Sequence, residues 1–113
     1  MILVDTDVIS ALAKVDSLSL LFPLFKRPVL SITPGVLAEL SHSLALGRPY
    51  AETVFGFIGS RLQVITLTSE ECTLRDALPG TLGAGERESV AVATEREGAV
   101  ISNESRVPIT AAS

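Results

Sequence analysis

Ile2, Leu3 and Val4 form an apolar run with no alternation, as in a strand buried on both faces of a parallel sheet. Two carboxylates, Asp5 and Asp7, follow at once, and a second apolar pattern of Val8, Ile9, Ala11 and Leu12 begins at helical spacing. A buried strand that runs straight into an amphipathic helix opens a βα unit, and such units belong to folds in which helices cover a mostly parallel sheet. Asp7 is well placed to cap the helix. Asp5 has no comparable local role. It stands where the strand stops, on the carboxyl edge of the sheet, where open α/β folds place their binding crevice. An ordinary turn aspartate is the competing explanation, and this segment alone does not choose between them.

The same alternation continues along the chain. Asp16-Ser17 predicts a short helix over 18–22 ended by Pro23, and 29–32 predicts a second strand. Thr33-Pro34 supplies an N-cap and a first-turn proline for a helix with Val36, Leu37, Leu40 and Leu44 as its buried stripe, closed by Gly47. Pro49 starts another, in which Tyr50, Val54, Phe57 and Ile58 share a face despite Gly56 and Gly59. Residues 62–67 predict a third strand. Thr68 and Glu71 have capping-box spacing for a helix that Pro79-Gly80 terminates. After Gly83-Ala84-Gly85 comes a helix over 86–97 with Gly98 as its C-cap, and Val100-Ile101 make a fourth strand. Sequential βα units imply right-handed crossovers. No repeat, low-complexity tract or linker divides the 113 residues, so one domain is expected.

Composition narrows the function classes. With 47% hydrophobic residues but no Trp, the core must be built from Leu, Val, Ile and Ala. A lone cysteine, Cys72, excludes an internal disulfide and is compatible with a reducing cytoplasm. The acidic start does not resemble a signal peptide, and no apolar run reaches the ~18 residues of a membrane span, so a cytoplasmic protein without membrane contact is expected. A net charge of −4 argues against binding nucleic acid through surface charge alone. It leaves room for a nuclease whose acidity is gathered in one metal site.

Four acidic residues occupy positions that local structure does not demand. Asp5 ends the first strand and Glu104 follows the fourth, so both belong to one rim of the sheet. Glu39 lies beside the buried stripe of its helix, and Glu86 begins a helix whose Val90 and Ala93 turn it toward the sheet. Each has an ordinary explanation: a helix-dipole partner for Glu86 or Glu88, a solvated face for Glu39, a loop charge for Glu104. Those explanations do not account for four carboxylates converging on one edge. They equal the whole charge excess of −4.

The runs Val4-Asp5-Thr6-Asp7-Val8-Ile9, Ile32-Thr33-Pro34-Gly35-Val36-Leu37-Ala38-Glu39-Leu40, Gly85-Glu86-Arg87-Glu88-Ser89-Val90-Ala91-Val92-Ala93 and Val100-Ile101-Ser102-Asn103-Glu104-Ser105-Arg106 resemble the successive motifs of the PIN-domain family, in the family's order. The resemblance implies a three-layer α/β fold with a mostly parallel central sheet of four or five strands flanked by helices. It implies a metal-dependent ribonuclease that hydrolyses single-stranded RNA. Many members are VapC-like toxins of toxin–antitoxin pairs, so an antitoxin protein is an expected class of partner. By resemblance Asp5, Glu39 and Glu86 match the first three acidic positions and Glu104 the fourth, which is usually aspartate. The Gly-Glu-x-Glu pattern leaves Glu88 as an alternative to Glu86. The family pattern also continues with a further strand and helix, which this sequence, ending at Ser113, does not supply.

The residue types suit that chemistry. A phosphodiester repels nucleophiles through its own charge; one or two Mg²⁺ or Mn²⁺ ions neutralise it, activate water and stabilise the leaving oxygen. Hard cations take carboxylate oxygens, whereas structural zinc prefers Cys and His. Thr6 and Ser102 are candidates for holding outer-shell waters. His42 is expected on the surface and Cys72 buried and inert. Two other classes compete: a PIN-like interaction module without activity, and a phosphate-binding α/β domain. The second would need more than the isolated Gly83-Ala84-Gly85, and the only lysines, Lys14 and Lys26, follow no strand end. The apolar face of the Tyr50–Ile58 segment predicts at least a homodimer.

Overall fold

The computed structural model describes residues 1–101. Four parallel strands, β1 (Ile2–Val4), β2 (Leu30–Ile32), β3 (Leu62–Val64) and β4 (Ala99–Ile101), form one sheet in the order β3-β2-β1-β4. Leu3 pairs with Ser31 on one side and Val100 on the other, and Ser31 pairs in turn with Gln63. The chain steps outward from β1 to β3 and then returns to the opposite side of β1. That reversal makes the carboxyl ends of β1 and β4 the switch point, where two outgoing chains diverge and leave a crevice.

Among the described residues six helices surround the sheet: α1 (Thr6–Lys14), α2 (Leu21–Leu24), α3 (Pro34–Ala45), α4 (Pro49–Phe55), α5 (Ser69–Ala77) and α6 (Ala84–Arg96), with a 3-10 turn at Leu18–Leu20 before α2. Successive residues of β1 point to opposite faces, and each face has its own core. Val4 joins Ile9, Phe22, Ile32, Val36, Leu40, Val54 and Leu62 beneath α1–α4. Leu3 joins Ile65, Val92, Ala93 and Val100 beneath α6. The result is the α/β arrangement of helix, sheet and helix that the sequence predicts.

Several local expectations need correction. Pro23 lies inside α2, in its first turn, where a missing N–H costs nothing, so it does not end the helix. Strand β3 stops at Val64; beyond it only the Ile65 N–H still reaches across, to the Ile32 carbonyl at 3.0 Å. Helix α4 ends at Phe55, yet Phe57 and Ile58 pack on the core from the turn that follows. Phe22 and Phe57 stack with centroids 5.9 Å apart. The face expected to be left for a dimer is therefore largely spent on the core. In α3 the buried stripe is Val36, Leu40 and Ser43, while Leu44 is 37% exposed.

Both halves of the Thr68/Glu71 capping box form. Glu71 also receives Arg96 Nε at 2.6 Å and Nη2 at 2.8 Å, which ties α5 to the end of α6. At that end Glu97, not Gly98, adopts the left-handed conformation, with φ of 54°. Gly98 serves a different need, since a Cβ there would lie 3.0 Å from the Met1 carbonyl oxygen.

Candidate metal centre

Helix α1 begins two residues earlier than an Asp7 cap requires. Asp5 itself occupies the N-cap position, in extended conformation, without a side-chain capping bond. Its N–H donates to the Ile101 carbonyl at 3.0 Å, so β4 fixes its backbone at the switch point. Its side chain is buried at 2% exposure. Asp7 is thereby released from capping and stands exposed in the first turn of α1. Glu86 approaches from the first turn of α6. One carboxylate oxygen from each of Asp5, Asp7 and Glu86 lies within 4.8 Å of the others.

Glu39 adjoins this group without belonging to its tight set. Its Oε1 accepts from Thr6 Oγ1 at 2.7 Å, so the threonine expected to hold a water orients a carboxylate instead. Glycines make the approach possible. A Cβ on Gly83 would sit 3.6 Å from Glu86 Oε1 and 3.7 Å from Glu39 Oε2, which places both carboxylates at the entrance to α6. A Cβ on Gly85 would collide with Glu39 Oε1 and lie 3.0 Å from Val36 Cγ2. The glycine pair is thus explained by close helix packing rather than by a phosphate loop.

Glu88 is engaged elsewhere. Its Oε1 accepts from the Gly35 N–H at 2.6 Å, at the N-terminus of α3, and its Oε2 lies 3.7 Å from Arg75 Nη1. A Cβ on Gly35 would come within 2.9 Å of Glu88 Oε1, so glycine at 35 and glutamate at 88 form a matched contact. That contact braces α6 against α3 two residues from Glu86. Val90, expected to face the sheet, packs with Leu82 and Leu78 in a separate small cluster. Of the remaining candidates, Glu104 and Ser102 lie outside the described residues. His42 is exposed, as expected, and Cys72 is half-buried rather than buried.

The N-termini of α1 and α6 both open onto the carboxylates, and their dipoles offset part of the mutual repulsion. The remainder favours a cation. An all-oxygen set of Asp and Glu, without His or Cys, suits a hard divalent ion such as Mg²⁺ or Mn²⁺. The sequence reading missed Asp7 because a carboxylate just ahead of a helical pattern is most simply assigned to the cap. The available signal was Asp5, which two positions earlier offers the same capping chemistry.

No described helix is long and apolar enough to cross a membrane. A family model described as a PIN domain matches residues 1–112. Comparison with curated proteins and with solved structures yields no match.

Proposed function

The chain belongs to the PIN-domain family, and on that premise we propose that it is a metal-dependent nuclease that hydrolyses phosphodiester bonds of single-stranded RNA. The observation that carries this reading is the convergence of Asp5, Asp7 and Glu86 at the switch point of the sheet. These three would hold Mg²⁺ or Mn²⁺, with Glu39 beside them and Glu104 as a further ligand on the strength of the family pattern. When bound, such an ion supplies charge neutralisation at the phosphate and a water acidic enough to act as nucleophile.

The protein's own residues prepare that site. Asp5 is held by its backbone bond to Ile101 and by burial, so its carboxylate loses little freedom on taking up an ion. Asp7 and Glu39 are exposed, on the solvent side from which a polymeric substrate must arrive. Thr6 keeps Glu39 turned to the site, and the Glu88–Gly35 contact holds α6 at the depth that brings Glu86 level with Asp5. Burial of Asp5 also excludes water from one side of the cluster, which strengthens every charge interaction there.

Purified protein should cut an unstructured RNA in Mg²⁺ or Mn²⁺ but not in EDTA, and Asp5→Asn should lose at least a hundredfold in rate. Metal-independent cutting, or equal rates for the two proteins, would overturn the reading. A place in a toxin–antitoxin pair is part of the same proposal; it requires that expression arrest growth and that a partner protein relieve the arrest. A homodimer is also proposed, now through Val15, Leu20 and Leu24 around α2, which are 67%, 60% and 71% exposed. Sedimentation as a clean monomer at tens of micromolar would exclude it.

A further inference from the structure

A second feature lies at the far end of α1. Between the last turn of α1 and the start of α4 is an open cleft of about 330 Å³, lined by Ala13, Lys14, Pro49, Tyr50 and Thr53. Tyr50 supplies the one aromatic ring of that lining. That ring is anchored: the phenol donates to Ser43 Oγ at 3.0 Å, and Arg48 Nη1 lies 3.5 Å from the same oxygen. Ser43 is itself buried, at 7% exposure. Lys14 Nζ is 4.9 Å from the ring centroid. Lys14 forms no ion pair with a carboxylate among the described residues. In a chain of net charge −4, this cleft has a lysine and no acid in its lining.

The cleft is connected to the carboxylate cluster by one helix. Asp7, Ala11 and Lys14 fall at i, i+4 and i+7 and are all exposed, so they form a continuous ridge of α1. Seven residues at 1.5 Å per residue place Lys14 about 10 Å along the axis from Asp7. That is within reach of a short stretch of extended single strand. A carboxylate rim repels the phosphates that flank a scissile bond, and a cation beside a half-buried aromatic ring that borders an open cleft is a pairing that non-duplex nucleic acid takes up.

We propose that this cleft is a second contact for a single-stranded RNA substrate, with one base against the Tyr50 ring and a neighbouring phosphate on Lys14. The proposal rests on the nuclease reading and adds to it a place for nucleotides away from the cut. Lys14, now over the ring, turns outward to the phosphate as the base enters. Because every base has a π-face, the contact favours strand length and single-strandedness over any particular sequence.

The test compares cleavage of two unstructured RNAs, about twelve and about four nucleotides long, by wild type, Lys14→Gln, Tyr50→Leu and Tyr50→Phe. Tyr50→Leu should raise KM for the longer RNA about tenfold, the order of one lost base stack, with kcat unchanged and the shorter RNA unaffected. Tyr50→Phe keeps the ring and should match wild type in KM. For Lys14→Gln the log–log dependence of affinity on salt should become shallower by about 0.7, one phosphate contact on a single strand. Equal KM values on the longer RNA, or equal losses on both lengths, would overturn the subsite while leaving the nuclease reading intact. Wild type that cuts neither RNA would sink the nuclease reading, and the subsite with it. If the substitutions instead change the sedimentation of protein alone, the cleft joins copies of this chain and the subsite is overturned.

Discussion

Asp7→Asn separates the metal centre from an ordinary helix start, because the two assign opposite signs to it. The substitution changes charge with almost no change of shape. In metal-free protein Asp7 faces two carboxylates whose nearest oxygens are within 4.8 Å. At that distance two unit charges repel by about 1.7 kcal/mol at an effective dielectric of 40 and about 0.9 kcal/mol in water. Asp7 is exposed, so the lower half of that range applies, and physiological salt reduces it by roughly half again. Two such pairs leave about 0.9–1.3 kcal/mol of repulsion. Against this stands the favourable placement of a carboxylate in the first turn of α1, about 0.3–1 kcal/mol. Repulsion wins narrowly. In EDTA the variant should be more stable by about 0.5 kcal/mol, a rise of about 2–3 °C in Tm for a domain of this size.

Metal reverses the order. For a dissociation constant of about 1 mM, an ion at about 10 mM stabilises the folded state by about 1.4 kcal/mol, or roughly 6 °C. A variant binding tenfold more weakly gains only about 0.4 kcal/mol. Thermal melts of both proteins, in EDTA and then in Mg²⁺ or Mn²⁺, should therefore cross, with the variant higher without metal and lower with it. If Asp7 merely supports the helix, the variant melts lower in EDTA and both proteins shift equally, or not at all, with metal. That outcome would refute the reasoning.

Gly85→Ala should destabilise by about 1–3 kcal/mol even though alanine favours a helix by about 1 kcal/mol, because its methyl meets Glu39 Oε1 and comes 3.3 Å from the Val36 backbone nitrogen. A higher melting temperature would show that α3 and α6 separate easily. Glu71 has its carboxyl held below the ordinary value of 4.5, chiefly by the Arg96 hydrogen bonds. Its contribution is therefore complete above that value and fades as pH falls through the lower folded-state value. Glu71→Gln should cost about 2–3 kcal/mol near pH 7, and the gap to wild type in urea melts should narrow only below about pH 4.5; a constant gap down to pH 2 would contradict this. If Glu104 is a ligand, Glu104→Asp should retain or improve metal-dependent cleavage and Glu104→Ala reduce it, whereas equal rates for all three proteins would make it a loop charge.

Local signals settled much of this molecule. The apolar run at Ile2–Val4 is short and unbroken because a central parallel strand is covered on both faces, whereas Leu30–Ile32 and Leu62–Val64 each carry one polar residue, Ser31 and Gln63, between apolar neighbours. The Thr33-Pro34 start and the Thr68/Glu71 box formed as expected because capping is decided within four residues. Asp5 was marked by its place between strand and helix. Helix α6 was harder. Glu88, Ser89, Val90, Ala91, Val92 and Ala93 are all buried, because the sheet, α3 and α5 surround it, so no single stripe distinguishes Glu86 from Glu88. Tertiary structure alone decided that choice. The Gly35 N–H claims Glu88, and the register of α6 against β1 delivers Glu86 to Asp5. It also decided Asp7. Whether a helix starts at residue 6 or 8 is a difference of two hydrogen bonds locally, and here it was resolved by the Asp5 N–H bonding to Ile101, ninety-six positions away in the chain. Capping and burial patterns are short-range and can be read from a sequence, whereas the partner of a particular carboxylate depends on which distant backbone reaches it first.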